Sequence, residues 1–166
     1  MPTMTPIHAA GTARPVGHYS QAVIANGFVF VSGQVPSDLA TGTPLVGSIE
    51  EQTEASLGNV RRILEAAGCG LEDTIQMTIF ISRIEDWGAV NQTYARIMGG
   101  HRPTRAIVPV SPLHYGTGIE IQCVAVLPKR TARGPQTAKR PARKRPTAKP
   151  RAAKRRATKR PVRRSR

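Results

Sequence analysis

The chain has 166 residues, with 25 Lys and Arg against 10 Asp and Glu. Seven of those cations and all ten acids precede Lys129, a net of −3, whereas the other 18 cations fall in 129–166 without one acid. This distribution excludes a uniformly basic nucleic-acid-binding fold and describes a mildly acidic domain followed by a cationic tail.

The 128 residues before Lys129 match the usual size of a single domain with its own core. No window approaches the roughly 18 consecutive apolar residues of a membrane span, and no positive stretch followed by an apolar one opens the chain. A soluble, cytoplasmic protein is expected. Cys69 and Cys123 are too few for a disulfide framework, and His8, His18, His101 and His114 lack metal-binding spacing. Metal catalysis is therefore not expected.

In chain order, residues 1–16 are read as an N-terminal segment ahead of a domain over 17–128, with 129–166 as the tail. Two strands, 19–25 and 28–32, flank Asn26-Gly27, the pair that most readily takes the positive φ angles of a type I′ hairpin. Ser48 followed three residues later by Glu51 makes a capping box. Leu57, Val60, Leu64 and Ala67 then recur at helical spacing up to Gly68, predicting a helix of about five turns. Residues 74–81 alternate and then become wholly apolar, as a strand entering a sheet interior does. A second helix, capped near Asp86, carries Trp87, Val90, Tyr94, Ile97 and Met98 on one stripe.

Two further apolar runs, 106–110 and 119–126, complete the order β-β-α-β-α-β-β, and Cys123 reads as a small buried strand residue. This is an α+β pattern in which both helices cover one face of a single mixed sheet. Pro109 cannot donate to a ladder, which predicts an edge or a bulge there. The other sheet face, left bare, calls for a partner, and a second copy is the simplest one.

Two ionisable groups interrupt apolar strands: Arg105 opens the Arg-Ala-Ile-Val run, and Glu120 stands between Ile119 and Ile121. By themselves they fit strand-end residues reaching solvent, or a pair neutralising each other. Their surroundings say more. The stretch Pro103-Thr-Arg-Ala-Ile-Val-Pro-Val-Ser-Pro-Leu113 with Ile119-Glu-Ile121 resembles the C-terminal signature of the RidA (YjgF) family of enamine/imine deaminases. Gly17-His-Tyr-Ser-Gln-Ala22, Val31-Ser-Gly-Gln-Val-Pro36, Leu57-Gly-Asn-Val60 with Leu64-Glu-Ala-Ala-Gly68, and Val90-Asn-Gln-Thr-Tyr94 resemble family segments in the family's order.

The resemblance implies a chorismate-mutase-like fold and a homotrimer with active sites between subunits. It also implies hydrolysis of 2-aminoacrylate or 2-aminocrotonate to a 2-keto acid and ammonia, without cofactor or metal. Arg105 would anchor the substrate carboxylate, a task suited to a planar, forked guanidinium. Glu120 matches the family's water-activating residue, a carboxylate able to act as base and then as acid. Tyr19, Ser32 and Asn91 match other residues of the family's cleft, and Gly33 would let backbone approach the ligand. Two positions depart from the pattern. Ile107 replaces a common Cys, narrowing the pocket if its backbone lines it, and His18 replaces the proline usual before the tyrosine.

The tail consists of Lys, Arg, Ala, Pro and Thr with almost nothing able to bury surface, so it is expected to be disordered when free. Its clusters are similar to the C-terminal tails of linker histones and bacterial histone-like proteins. Lys139, Arg140, Arg143, Lys144, Arg145, Lys154, Arg155, Arg156, Lys159, Arg160, Arg163 and Arg164 would meet DNA or RNA phosphates without sequence preference, placing the protein at the nucleoid. With no aromatic residue, the tail cannot stack on bases. Two functions of different class follow: an active deaminase tethered by its tail, or a catalytically silent trimeric scaffold presenting three nucleic-acid-binding arms. Retained Arg105 and Glu120 favour the first. The ribonuclease activity attributed to some family members finds no recognisable nuclease constellation in this chain.

Overall fold

A computed structural model describes residues 3–128; the cationic segment, with every predicted nucleic-acid contact, lies outside the described residues. The described elements are β1 (Thr5–Ile7), β2 (Ala22–Ala25), β3 (Phe28–Gln34), α1 (Ile49–Ala66), β4 (Thr74–Ile81), α2 (Trp87–Met98), β5 (Thr104–Pro109) and β6 (Ile119–Val126). The six strands form one mixed sheet in the order β1-β2-β3-β6-β4-β5. Only β4 and β5 run parallel, joined through α2, which is the long crossover that parallel pairing requires.

Local chemistry explains most boundaries. Asn26 and Gly27 take φ values of 51° and 80°, the left-handed conformation a two-residue hairpin between β2 and β3 demands. The Ser48 hydroxyl accepts from the Glu51 amide at 3.2 Å while the Glu51 carboxylate accepts from the Ser48 amide at 2.8 Å, so the predicted capping box starts α1.

Both helices lie on one sheet face. Leu57, Val60, Ile63, Leu64 and Val90 meet Val29, Met77, Ile79, Ile81, Ile119 and Ile121, all fully buried. Phe28, Phe30, Val108 and Val126 alternate with those buried positions and remain partly exposed, so the opposite face, which also carries Gln76, Thr78, Glu120 and Gln122, is mixed in polarity and uncovered by helices. Among the described residues no helix is long and apolar enough to cross a membrane.

Several expectations need correction. The first predicted strand starts at Ala22, not Tyr19, because Tyr19 and Ser20 sit in a bend outside the ladder. The N-terminal segment contributes β1, whose three residues pair with β2; a strand that short, with Pro6 at its centre, carries no period-two signal. Trp87 leaves the buried stripe of α2 and is 43% exposed, while Thr93 joins Val90, Tyr94 and Met98 inside. Asp86 makes no side-chain cap; α2 is entered instead through a tight turn over Ile84–Asp86. Pro109 does end an edge strand, as a residue without an N–H should. The bulge beside the candidate site is elsewhere, in β3.

Candidate functional site

Arg105 stands beside Met77 in the β4–β5 register, so its side chain leaves the helix-covered face at the sheet edge. One guanidinium nitrogen donates to Asn91 Oδ1 at 2.8 Å, and the guanidinium carbon lies 4.6 Å from the centre of the Tyr94 ring. Asn91 and Tyr94 are three residues apart on α2 and so share a helix face. Tyr94 is 6% exposed, and its hydroxyl finds no hydrogen-bond partner among the described residues. Burial pushes the phenol pKa up, with the Arg105 charge opposing it.

Glu120 occupies the other face. It pairs with Phe80 in the β4–β6 register, while its neighbours Ile119 and Ile121 point under the helices and are fully buried. Its carboxylate lies directly against Gly33, so that a methyl group on Gly33 would overlap it. A groove beside it is lined by Phe80, Pro109, Val110, Ser111 and Leu113.

What brings Gly33 there is the irregularity in β3. Val31 pairs with Cys123 and Gln34 with Ile121, so Ser32 and Gly33 together oppose Gln122 alone. Such a bulge bends the strand and re-aims its side chains, and it recurs next to active sites. Ser32 is fastened rather than free: its amide donates to the Gln21 carbonyl at 3.0 Å and its hydroxyl to the Ser20 carbonyl at 2.8 Å. Tyr19, 53% exposed, lines a cavity of about 120 Å³ with Gly33, Arg14 and Tyr115. Tyr115 holds a left-handed φ of 60°, a strained state for a side chain of its size.

The predicted residues therefore fall into two groups: Arg105 with Asn91, and Glu120 with Gly33, close to Tyr19 and Ser32. Arg105 and Glu120 do not pair, since strand alternation sends them to opposite faces of the sheet.

Residues 11–127 match the family described as Endoribonuclease L-PSP. A RutC family protein of Pyrococcus horikoshii is 40% identical over 119 residues, 72% of this chain and 94% of that one. The 2-iminobutanoate/2-iminopropanoate deaminase of Homo sapiens is 33% identical over 120 residues, 72% of this chain and 88% of that one. The crystal structure of TdcF from E. coli with bound serine aligns at a TM-score of 0.68 and 32% identity, covering 74% of this chain and 98% of that one. The chain belongs to the RidA (YjgF) family. Its two helices on a mixed sheet are that family's chorismate-mutase-like fold.

Within this RidA-family framework, the residues missed in the sequence are the ones that hold the site loops. Gln21 accepts from the Ala9 amide at 2.9 Å and donates to Thr12 and to the Ala13 carbonyl, fixing the loop that carries Arg14. Gln34 donates to the carbonyls of Ser32 and Gly33, both at 3.0 Å, and so braces the bulge from inside. Gln52 donates to the Gly47 carbonyl and accepts from the Gly118 amide at 2.7 Å, two residues before Glu120. Asn59 donates to the carbonyls of Val35 and Ser37. Each is an amide buried in the fold, where an unpaired polar group is costly; apolar neighbours were the available signal at Gln34 and Asn59, whereas Gln52, between Glu51 and Thr53, offered none. Tyr94 was assigned to the core stripe alone. Ile107 pairs with Ile79 and packs against the core.

Proposed function

We propose that this protein hydrolyses the enamine or imine forms of 2-aminoacrylate and 2-aminocrotonate. The substrate carboxylate binds the Arg105 guanidinium, and water adds to the imine carbon. Glu120 takes the proton that the water loses. That proton is passed to nitrogen, and as the carbon–nitrogen bond breaks the proton of the new hydroxyl follows it there, so imine plus water gives a 2-keto acid plus ammonia. Tyr19, Ser32, Gly33 and Ile107 would border the reacting carbon. Two relatives named 2-iminobutanoate/2-iminopropanoate deaminase, from rat and human at 37% and 33% identity, support the reaction type.

One observation carries the reading. Arg105 is half-buried and braced on one side by Asn91 and Tyr94, yet no carboxylate lies within ion-pair distance among the described residues; the pairs there are Arg83–Glu85 and Arg96–Glu54. A half-buried cation without an anion among the described residues fits an anionic ligand. Because Glu120 of the same chain faces the other way, a site using both residues combines Arg105 with Glu120 of the partner subunit. Exposed Phe28, Phe30, Val108 and Val126 on the face without helices support such an assembly, which we take to be a homotrimer. Ammonia and keto-acid release from freshly generated 2-aminoacrylate tests the reading: acceleration that Arg105→Ala abolishes is expected, and no acceleration by the intact protein refutes it.

The tail adds a second component, motivated by its 18 cations and absent acids. Counterion release from DNA or RNA would hold the trimer on nucleic acid, with affinity falling steeply as salt rises. The silent scaffold is the competing reading, and the deaminase assay decides between them. A chain ending at Lys129 should keep full deaminase activity and lose DNA retardation at low salt; retention of that retardation removes the tether.

A further inference from the structure

We infer that Tyr94 is a positioning residue for carboxylate binding, its ring serving as the platform that aims the Arg105 guanidinium. This inference rests on the anchor role proposed above for Arg105 and extends it to a residue that otherwise reads as core.

A guanidinium on a flexible side chain samples many orientations, and a bidentate grip on a carboxylate needs one plane. The hydrogen bond to Asn91 Oδ1 fixes a single nitrogen, about which the group can still swing. The face of Tyr94, 4.6 Å from the guanidinium carbon, supplies the missing constraint. An arginine within about 6 Å of an aromatic centroid is held by the ring's negative face, more strongly where water is excluded. Tyr94 is itself packed into the core, being 6% exposed and carried on α2 with buried Val90, Thr93 and Met98. Helix α2 thus presents a hydrogen-bond acceptor and a ring to one guanidinium, and β5, the edge strand, delivers that guanidinium at the border of the sheet.

The phenol oxygen separates this role from packing. Buried without a partner among the described residues, it is a liability to the folded chain, and the platform needs only the ring. Tyr94→Phe should therefore match the native protein in KM and be no less stable. Tyr94→Leu removes the platform while leaving Asn91 in place. Since the carboxylate is bound alike in ground and transition states, its KM should rise roughly five- to thirty-fold with kcat little changed. The methyl ester of the same imine, which offers no carboxylate, should not distinguish the two variants.

The experiment measures kcat and KM for native protein, Tyr94→Phe and Tyr94→Leu, with calorimetric binding of 2-oxobutanoate in parallel. Tyr94→Met, which fills space without an aromatic face, takes the place of the leucine variant if that one does not fold. A KM rise confined to the ring-less variant and to the carboxylate substrate confirms the platform. An unchanged KM in an active, folded ring-less variant overturns it while the deaminase reading stands. If the native protein does not process imines, the deaminase reading fails and 2-oxobutanoate binding decides: weaker binding without the ring upholds the platform. Equal binding, or no binding by the native protein, overturns it.

Discussion

The surroundings of Arg105 and Glu120 are held by different means. Arg105 is gripped by two side chains of the helix that immediately precedes its strand, 14 and 11 residues earlier, within one β4-α2-β5 unit. Glu120 is placed by contacts far away in sequence: Gly33 on the bulged strand, and Gln52, whose bond to the Gly118 amide spans 66 residues. The first depends on side-chain chemistry within a local unit, whereas the second depends on backbone shape and long-range register. Substitutions should therefore affect the Arg105 end through ligand affinity and the Glu120 end through catalytic rate or through stability.

The largest expected separation comes from Gly33→Ala. The new methyl group meets the Glu120 carboxylate, the movable end of a side chain, so the fold yields cheaply while the carboxylate is displaced. If Glu120 is the general base proposed above, a loss in kcat on the order of 10²-fold with a nearly unchanged urea midpoint is expected. A kcat within a factor of two of native would show that Glu120 does not need that position.

A smaller effect, on stability first, is expected from Gln52→Leu. It leaves the Gly118 amide and the Gly47 carbonyl without their partner, and since both bonds are only part-buried the cost is about 0.5–1.5 kcal/mol per bond. Urea unfolding reads this directly. A kcat loss accompanying it would tie the turn before β6 to the placement of Glu120; native stability would mean that water replaces the amide.

The smallest effect concerns pH. Burial, with a lesser contribution from Cys69, pushes the Cys123 thiol from 9.0 to about 12. The folded pKa is the higher one, so the contribution is complete below pH 9 and is lost as pH rises toward 12, where the unfolded thiol ionises first. Cys123→Ala should flatten the alkaline decline of unfolding free energy. An identical decline in both proteins would show that Cys123 is not its source.

Sequence patterns were sufficient where the physics is local. The Asn26-Gly27 turn, the Ser48/Glu51 capping box, both helices and the alternation in β3 and β6 each follow from residues within a few positions of one another. Arg105 and Glu120 stood out for the same reason, as charges set into apolar strands. Patterns failed for β1, whose pairing partner is distant, and for Trp87, whose place on the stripe was undone by the tight turn before α2. They failed also for Tyr94, because an aromatic at helical spacing looks the same whether it packs a core or supports a cation.

By itself the sequence determined every named element except β1, the division between a domain at −3 and a segment carrying 18 cations, and the types of residue available for chemistry. Only the tertiary structure decided which of those residues meet. The face on which a strand residue emerges depends on register and bulges, and these are set by pairing across the whole sheet. That is why Arg105 and Glu120, 15 residues apart in one chain, point to opposite faces of the sheet.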